Sequence, residues 1–433
     1  MRKAALHNLG CKVNAYETDA MQQMLEEAGY KIVPFEEEAD VYIINTCTVT
    51  NMADRKSRQM LHRAKKKNPQ SVVVAAGCYV QAAGEVLYED EAIDLVIGNN
   101  RKKDLVELLE GFFEGRKEAA ILDINHTKEY ENLQLNQAGE HTRAYVKVQD
   151  GCNQFCSYCI IPFARGRVRS RQKEDVLQEI RRLAQAGYQE VVLTGIHLSS
   201  YGVDLEGETL LSLIQAVHEV EGIERIRLGS LEPGIVTEEF VRIIARLRKM
   251  CPHFHLSLQS GCNATLKRMN RRYTAEEFAH RCEILRKYFA DPALTTDVIV
   301  GFPGETEEEF QETEAFLKKI RFYETHIFKY SRRKGTKADQ MPNQIPEQVK
   351  TLRSNCLQDL HEQNKQAYGK IFLGKELEVL FEEEISIEGR TYQTGHSKEY
   401  LQVLLPVTEN LSNRILTVKA VEILGNGMIL AAK

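Results

Sequence analysis

Residues 144–159 read AYVKVQDGCNQFCSYC, and the rest of the chain is best read outward from them. Ala144–Val148 is an apolar-rich run of strand length, followed by Asp150 and Gly151. Cys152, Cys156 and Cys159 come at once, spaced C-x-x-x-C-x-x-C. Three close thiolates on one loop can hold three irons of a 4Fe–4S cube. The fourth iron then lacks a protein ligand, which a cluster needs if it is to bind and reduce a substrate. S-adenosylmethionine is the cofactor that fits, since it chelates that iron and yields a carbon radical on reduction. Zinc is the competing ion, but structural zinc sites use four ligands in paired spacings. Neither a second C-x-x-C nor an H-x-x-x-H pair lies nearby.

Downstream, strand-like and helix-like segments alternate. Expected strands are Ala144–Val148, Glu190–Leu193, Arg225–Leu228, His253–Leu258, Thr295–Val300 and His326–Tyr330. Between them lie expected helices Lys173–Ala186, Thr209–Glu219, Thr237–Lys249, Ala275–Phe289 and Glu307–Ile320. This predicts a barrel-like or doubly wound α/β sheet with its chemistry at the C-terminal strand ends. A long final helix, Glu347–Tyr368, is expected to stop at Gly369. The tail changes character: Leu373–Phe381, Thr391–Thr394, Leu401–Leu405 and Leu416–Val421 predict a small all-β barrel.

Upstream the same alternation holds. Ala4–Leu9 runs into Gly10 and Cys11, Val41–Ile44 into Asn45, Thr46 and Cys47, and Val72–Ala76 into Gly77 and Cys78. Helical stretches Glu17–Ala28 and Ala53–Lys67 separate them, and a short strand, Leu95–Ile97, ends at Gly98. Each cysteine thus follows a strand, and the strand ends of an open parallel sheet share one edge. Three thiols far apart in sequence are expected to meet there. Residues 112–140 predict a polar linker with some strand content at Ala119–Ile124.

Composition bounds the function. The 433 residues contain 43% hydrophobic and 27% charged residues, ordinary for a globular protein. No apolar run approaches the roughly 20 residues of a membrane helix, and the N-terminus is no signal peptide. The expectation is a cytoplasmic protein in which the ten cysteines are ligands or free thiols, not disulfides. Cys251, Cys262, Cys282 and Cys356 have no ligand spacing and read as thiols or core residues. A net charge of −5 argues against an indiscriminate nucleic-acid binder. The basic residues nevertheless cluster at Arg55–Lys67, at Arg165, Arg167, Arg169 and Arg171, at Lys267–Arg272 and at Lys329–Lys337, as for a polyanion held at defined places.

The segment GCNQFCSYCIIPFARG, residues 151–166, resembles the radical S-adenosylmethionine superfamily, and the whole chain is similar to its methylthiotransferases. The resemblance implies an N-terminal α/β domain (1–125), a partial (βα)6 radical barrel (141–368) and a C-terminal TRAM β-barrel that binds RNA (369–433). It implies that Cys11, Cys47 and Cys78 hold a second, auxiliary 4Fe–4S cluster that supplies sulfur. Asn153 and Gln154, with NTCTVTNMADRKSRQ around Cys47, look most like the branch acting on N6-threonylcarbamoyladenosine in tRNA. Other branches act on isopentenyl-adenosine or on a ribosomal-protein aspartate. The implied partners are S-adenosylmethionine, a tRNA anticodon stem-loop and a flavodoxin-type electron donor, with no membrane and no DNA.

Further roles follow with the barrel. Tyr158 beside the last ligand, Gly195, Glu232, Gln259, Asp297 and Gly301 at strand ends are candidate cofactor residues. Arg165 and Arg167 suit a cofactor carboxylate or RNA phosphate by their fork geometry. Arg55, Arg58, Arg63 and Lys398 are further RNA candidates. His197 and His255 lie near strand ends with no evident partner and read as polar filling. A non-catalytic iron–sulfur RNA-binding protein is the reading that a lack of 5′-deoxyadenosine formation would support.

Overall fold

The computed structural model describes residues 1–116, 120–136, 142–387, 389–406 and 409–433. The N-terminal part alternates strands β1 (Lys3–Asn8), β2 (Lys31–Ile32), β3 (Val41–Thr46), β4 (Val72–Gly77) and β5 (Leu95–Ile97) with helices α1 (Lys12–Glu27), α2 (Asn51–Lys67), α3 (Cys78–Ala83) and α4 (Leu105–Phe113). The strands pair in parallel in the order β2-β1-β3-β4-β5. β3 and β4 are buried at every residue, because helices cover both faces of a parallel sheet. α1 starts five residues earlier than the periodicity suggests, directly after Cys11. α2 starts at Asn51 because the Thr50 hydroxyl accepts from the Ala53 N–H.

The central part holds β6 (Arg143–Asp150), α5 (Ile161–Ala164), β7 (Arg169–Ser170), α6 (Lys173–Gln185), β8 (Glu190–Gly195), α7 (Leu210–His218), β9 (Arg225–Leu228), α8 (Glu238–Ile244), β10 (His253–Gln259), α9 (Asn263–Arg268), α10 (Ala275–Tyr288), β11 (Ala293–Val300), α11 (Glu307–Ile320), β12 (Glu324–Lys329) and α12 (Glu347–Lys370). β6, β8 and β9 pair in parallel, as do β10, β11 and β12. Single bridges, Ile226 to Met250 and Leu231 to Leu256, join the two sets. The six parallel strands form an open, partial barrel. Capping boxes at Thr209, Thr274 and Thr306 start three of its helices where the sequence expectation put them.

The tail closes into a barrel of β13 (Glu376–Ile387), β14 (Arg390–Ser397), β15 (Gln402–Leu405), β16 (Ile415–Ile423) and β17 (Ile429–Ala432). One expectation fails here: α12 runs through Gly369 to Lys370. That glycine is a packing residue, since a Cβ there would run into Ile423 of β16. Of the expected linker, residues 117–119 and 137–140 lie outside the described residues. Ala120 bridges to Ile97.

Candidate active site

Two cysteine sets lie at loops that the fold brings together. Cys11 caps α1, Cys47 follows β3 and Cys78 opens α3. Gly10 has φ 112°, and a Cβ there would stand 3.1 Å from the Cys47 Sγ, so the first loop can lie against the second. Asn14 Nδ2 ties the loops by donating to Leu9 O (2.7 Å) and Thr46 O (3.0 Å). At the third thiol, Arg165 Nε lies 3.1 Å and Asn99 Nδ2 3.6 Å from Cys78 Sγ. Burial pushes the Cys47 thiol up to about 11, and the neighbouring Cys78 and Cys11 add to the rise.

Beneath these thiols lies a buried charge network with no sequence motif to announce it. Glu17 of α1 meets Arg165, Lys102 (3.0 Å) and Lys147 (2.7 Å). Asp150 meets Lys147 (2.6 Å), Arg165 (3.2 Å) and Arg169 (3.8 Å). All six side chains are essentially inaccessible to solvent. Burial alone would raise the Glu17 carboxyl, but Arg165, Lys102 and Lys147 outweigh it and hold the carboxyl well below its usual range. Four cations thus face two carboxylates. Such an excess of buried positive charge needs a further anion.

The second set follows β6. Cys152 N donates to Gly166 O, and Gly151 with φ 72° turns the chain where a Cβ would strike the Arg167 carbonyl. Ser157 N donates to Met269 O (3.0 Å), and the Ser157 hydroxyl donates to Arg268 O (2.7 Å). The loop is thereby fastened to the segment after α9. From that segment Arg271 enters the site: Nη1 lies 3.1 Å from Cys156 Sγ, and Nη2 donates to Glu232 Oε2 (2.8 Å) and Ser257 O (3.2 Å). Burial pushes the Cys152 thiol up to about 11 and the Cys159 thiol up to about 12, neighbouring cysteines adding to both.

The remaining candidates sort by position. Tyr158 packs edge-on to Phe302 with ring centroids 6.4 Å apart. Gln259 ends β10 with φ 70°, a sparsely populated conformation for a non-glycine residue. Gly195 leaves room for Gln149, whose Nε2 donates to the Asp150 and Gly151 carbonyls just before the cluster loop. Gly301 has φ 71°, its N–H is taken by Glu305 (2.6 Å), and the space a Cβ would fill holds Lys350. Arg55, Arg58, Arg63 and Arg167 are exposed. Arg63 bonds Glu36, and Arg167 lies over the Phe155 ring at 4.5 Å.

Three expectations are corrected. Arg165 does not face phosphate: it is fully buried and saturated by Glu17, Asp150 and Asn14. Arg169 and Arg171 of the same cluster are buried too, Arg171 against Glu179 (2.7 Å), so Arg167 alone of the four reaches solvent. The histidines do have partners, His197 with Glu232 (3.6 Å) and His255 with Asp297 (3.2 Å). Lys398 is held near Glu378 (3.3 Å).

Comparison with known proteins fits this geometry. Residues 146–317 match the Radical SAM superfamily, and residues 3–98 match the Uncharacterized protein family UPF0004. A Bacillus subtilis protein named Threonylcarbamoyladenosine tRNA methylthiotransferase MtaB is 42% identical over 97% of this chain and 94% of its own length. The chain belongs to the radical S-adenosylmethionine methylthiotransferases. An Aquifex aeolicus relative of the same name is 43% identical over 93% of this chain and 98% of its own. A Carboxydothermus hydrogenoformans relative, named tRNA-2-methylthio-N(6)-dimethylallyladenosine synthase, is 35% identical over 95% of each chain. Among solved structures, the radical S-adenosylmethionine methyltransferase TsrM from Kitasatospora setae superposes with a TM-score of 0.59 at 16% identity, covering 78% of this chain and 77% of that one. This likeness concerns the fold.

The residues present fit the cofactors of a radical methylthiotransferase. A 4Fe–4S core held by three thiolates is an anion, and Cys11, Cys47 and Cys78 stand where the buried cations lack one. Among the described residues, Arg169 Nε and Nη1 of that network have no hydrogen-bond partner. Cys152, Cys156 and Cys159 would hold the cluster that binds S-adenosylmethionine. Arg271 fixes Glu232 beside them.

Proposed function

We propose that the enzyme methylthiolates C2 of N6-threonylcarbamoyladenosine at position 37 of tRNA, next to the anticodon, with two 4Fe–4S clusters and two molecules of S-adenosylmethionine. The observation that carries the reading is the pairing of two three-cysteine sites around one network: Arg165 touches Cys78 and also meets Asp150, two residues before Cys152. An aromatic C–H bond at C2 is neither acidic nor hydridic enough for acid–base chemistry. When bound, the cofactors supply the one-electron chemistry to break that bond and the sulfur to replace the hydrogen.

The protein's own groups position and shield. Arg271 holds Glu232 and the Cys156 side of the cluster loop in one arrangement. Gln149 locks the two carbonyls before Cys152 and accepts the His197 N–H (2.7 Å). The exposed basic face of α2, with Arg55, Lys56, Arg58 and Arg63, lies just after Cys47 and suits an RNA backbone. The reading includes a cytoplasmic setting and a flavodoxin-type electron donor. No helix among the described residues is long and apolar enough to cross a membrane.

One finding favours a second reading, the relative named for dimethylallyl-adenosine. Nucleoside mass spectrometry of tRNA from cells with and without the gene separates the two. The proposal expects loss of 2-methylthio-N6-threonylcarbamoyladenosine. Loss of the dimethylallyl counterpart, or an unchanged tRNA with an altered ribosomal protein, refutes it.

A further inference from the structure

The barrel lumen carries a polar wall that neither cysteine site uses. His255 of β10, Asp297 of β11 and His326 of β12 stand on adjacent parallel strands, with Asp297 in register with His326 and Thr295 with His255. Their ligand-type atoms lie within 4.8 Å of one another. His255 Nε2 is 3.2 Å from Asp297 Oδ2, and its Nδ1 is 3.0 Å from Thr295 Oγ1. The His255 and His326 rings stack 5.6 Å apart. Strand alternation puts these residues on the lumen side with Ser257, Ile299 and Phe328, while Leu256, Leu258, Val298 and Val300 are buried toward the helices.

Lys12, the residue after Cys11, approaches this wall from the auxiliary site. It is exposed, and its ammonium is near enough for its charge to act on both Asp297 and His326. Burial would raise the Asp297 carboxyl, but His255, then His326 and Lys12, outweigh that and leave it below its usual range. Among the described residues no carboxylate lies within 4.0 Å of the Lys12 ammonium. The two arginines whose charge acts on it are engaged, Arg143 with Glu382 (3.2 Å) and Arg227 with Glu190 (2.8 Å), both over the Tyr400 ring from the tail barrel. Among the described residues this wall therefore offers one cation without an ion pair, an exposed imidazole, and a carboxylate acceptor.

We propose that Lys12, His326 and the His255–Asp297 pair read the substituent on N6 of the target adenosine, selecting one that carries a carboxylate, a hydroxyl and urea N–H groups. This rests on the substrate reading above. Lys12 and His326 receive the carboxylate. Asp297, its position fixed by His255, accepts from hydroxyl or urea N–H. An apolar five-carbon substituent in the same place would strip water from a cation and a carboxylate and return no hydrogen bond. A site built to hydrogen-bond its substrate rejects an analogue lacking those groups far more strongly than an apolar pocket rejects one extra group.

The test uses reconstituted holoenzyme and two synthetic anticodon stem-loop RNAs that differ only in the N6 group, threonylcarbamoyl or dimethylallyl. The quantity is the ratio of kcat/KM for methylthiolation of the two. Lys12→Met and His326→Leu are each expected to lower that ratio by about tenfold or more, chiefly through KM for the threonylcarbamoyl RNA. His326→Gln, which keeps a donor, is expected to restore most of it. 5′-Deoxyadenosine formation without RNA should stay within about twofold of wild type and bound iron should stay at about eight per chain, which together show that both clusters are intact. If wild type prefers the threonylcarbamoyl RNA but the variants keep its ratio, this inference fails alone. If wild type acts only on the dimethylallyl RNA, the substrate reading fails and takes the inference with it.

Discussion

Replacing Glu17 by Gln tests the charge network directly. Glu17 is wholly buried and is the only carboxylate that meets Arg165, Lys102 and Lys147 together among the described residues. The substitution keeps the shape and removes one negative charge, leaving Asp150 alone against four buried cations. Removing one partner of a buried pair costs about 3–5 kcal/mol. Lys147→Met offers the contrast. It leaves Glu17 with two cations and Asp150 with Arg165 and Arg169, so only hydrogen bonds to charged groups are lost, about 1.5–3 kcal/mol. Cluster-free protein, unfolded in urea under anaerobic conditions, should therefore lose more stability from Glu17→Gln than from Lys147→Met. Adding Lys147→Met to Glu17→Gln should recover part of the loss, because it removes one of the four buried cations that then face Asp150 alone. The sign with pH follows. The folded Glu17 carboxyl is depressed, so its contribution is present above the unfolded carboxylate value of about 4.3 and disappears as pH falls through the folded one. Equal losses from the two single variants, or a double variant as unstable as their sum, would refute the excess of positive charge on which the auxiliary site was argued.

Three other perturbations read separate parts of the site. Cys47→Ala should keep 5′-deoxyadenosine formation, lose methylthiolation, and lower bound iron from about eight to about four per chain, since each cluster holds four; retained sulfur insertion would remove the auxiliary role. Arg271→Leu should leave iron content unchanged but slow 5′-deoxyadenosine formation by about tenfold to a hundredfold, because Glu232 and the Cys156 side of the loop lose their common anchor. Gly301→Ala, at φ 71° and against Lys350, should destabilise by about 2–4 kcal/mol in chemical denaturation, combining a left-handed backbone penalty with overpacking.

Much of this architecture could be read from the chain, for stated reasons. A C-x-x-x-C-x-x-C loop is local, so its geometry follows from spacing alone. Cys11, Cys47 and Cys78 are distant in sequence, yet parallel-sheet topology places strand ends on one edge, and that was enough to group them. Charged side chains were harder. Arg165, Arg167, Arg169 and Arg171 occupy every second position across the end of α5, a turn and the short strand β7, and which of them faces solvent depends on what packs above. α1 packs there, with Glu17 beneath, and three of the four arginines are internal. The His255–Asp297–His326 wall was illegible for a related reason: neighbours across parallel strands are separated by whole βα units, and only the register of β10, β11 and β12 makes them one group.

One helix carries much of the site because it packs in two cores at once. Met21 and Leu25 of α1 pack in the core of the N-terminal sheet, while Tyr16 and Ala20 pack in the core of the barrel. The Tyr16 hydroxyl donates to Leu133 O (2.6 Å) and meets Glu179 Oε2 at 3.1 Å. A helix shared by two cores cannot shift against either without opening one of them. Its first residues, Cys11 and Lys12, are therefore held at a fixed distance from β6 and the loop of Cys152. Reaction between groups supplied at two separate sites depends on such fixed placement, and a displacement of about 1 Å can cost about a hundredfold in rate. The buried ions beneath α1 then act as a gauge. They tie Glu17 to Lys147 and Arg165 in the barrel half, so the spacing between the two cysteine sets is set by charge pairing as well as by packing.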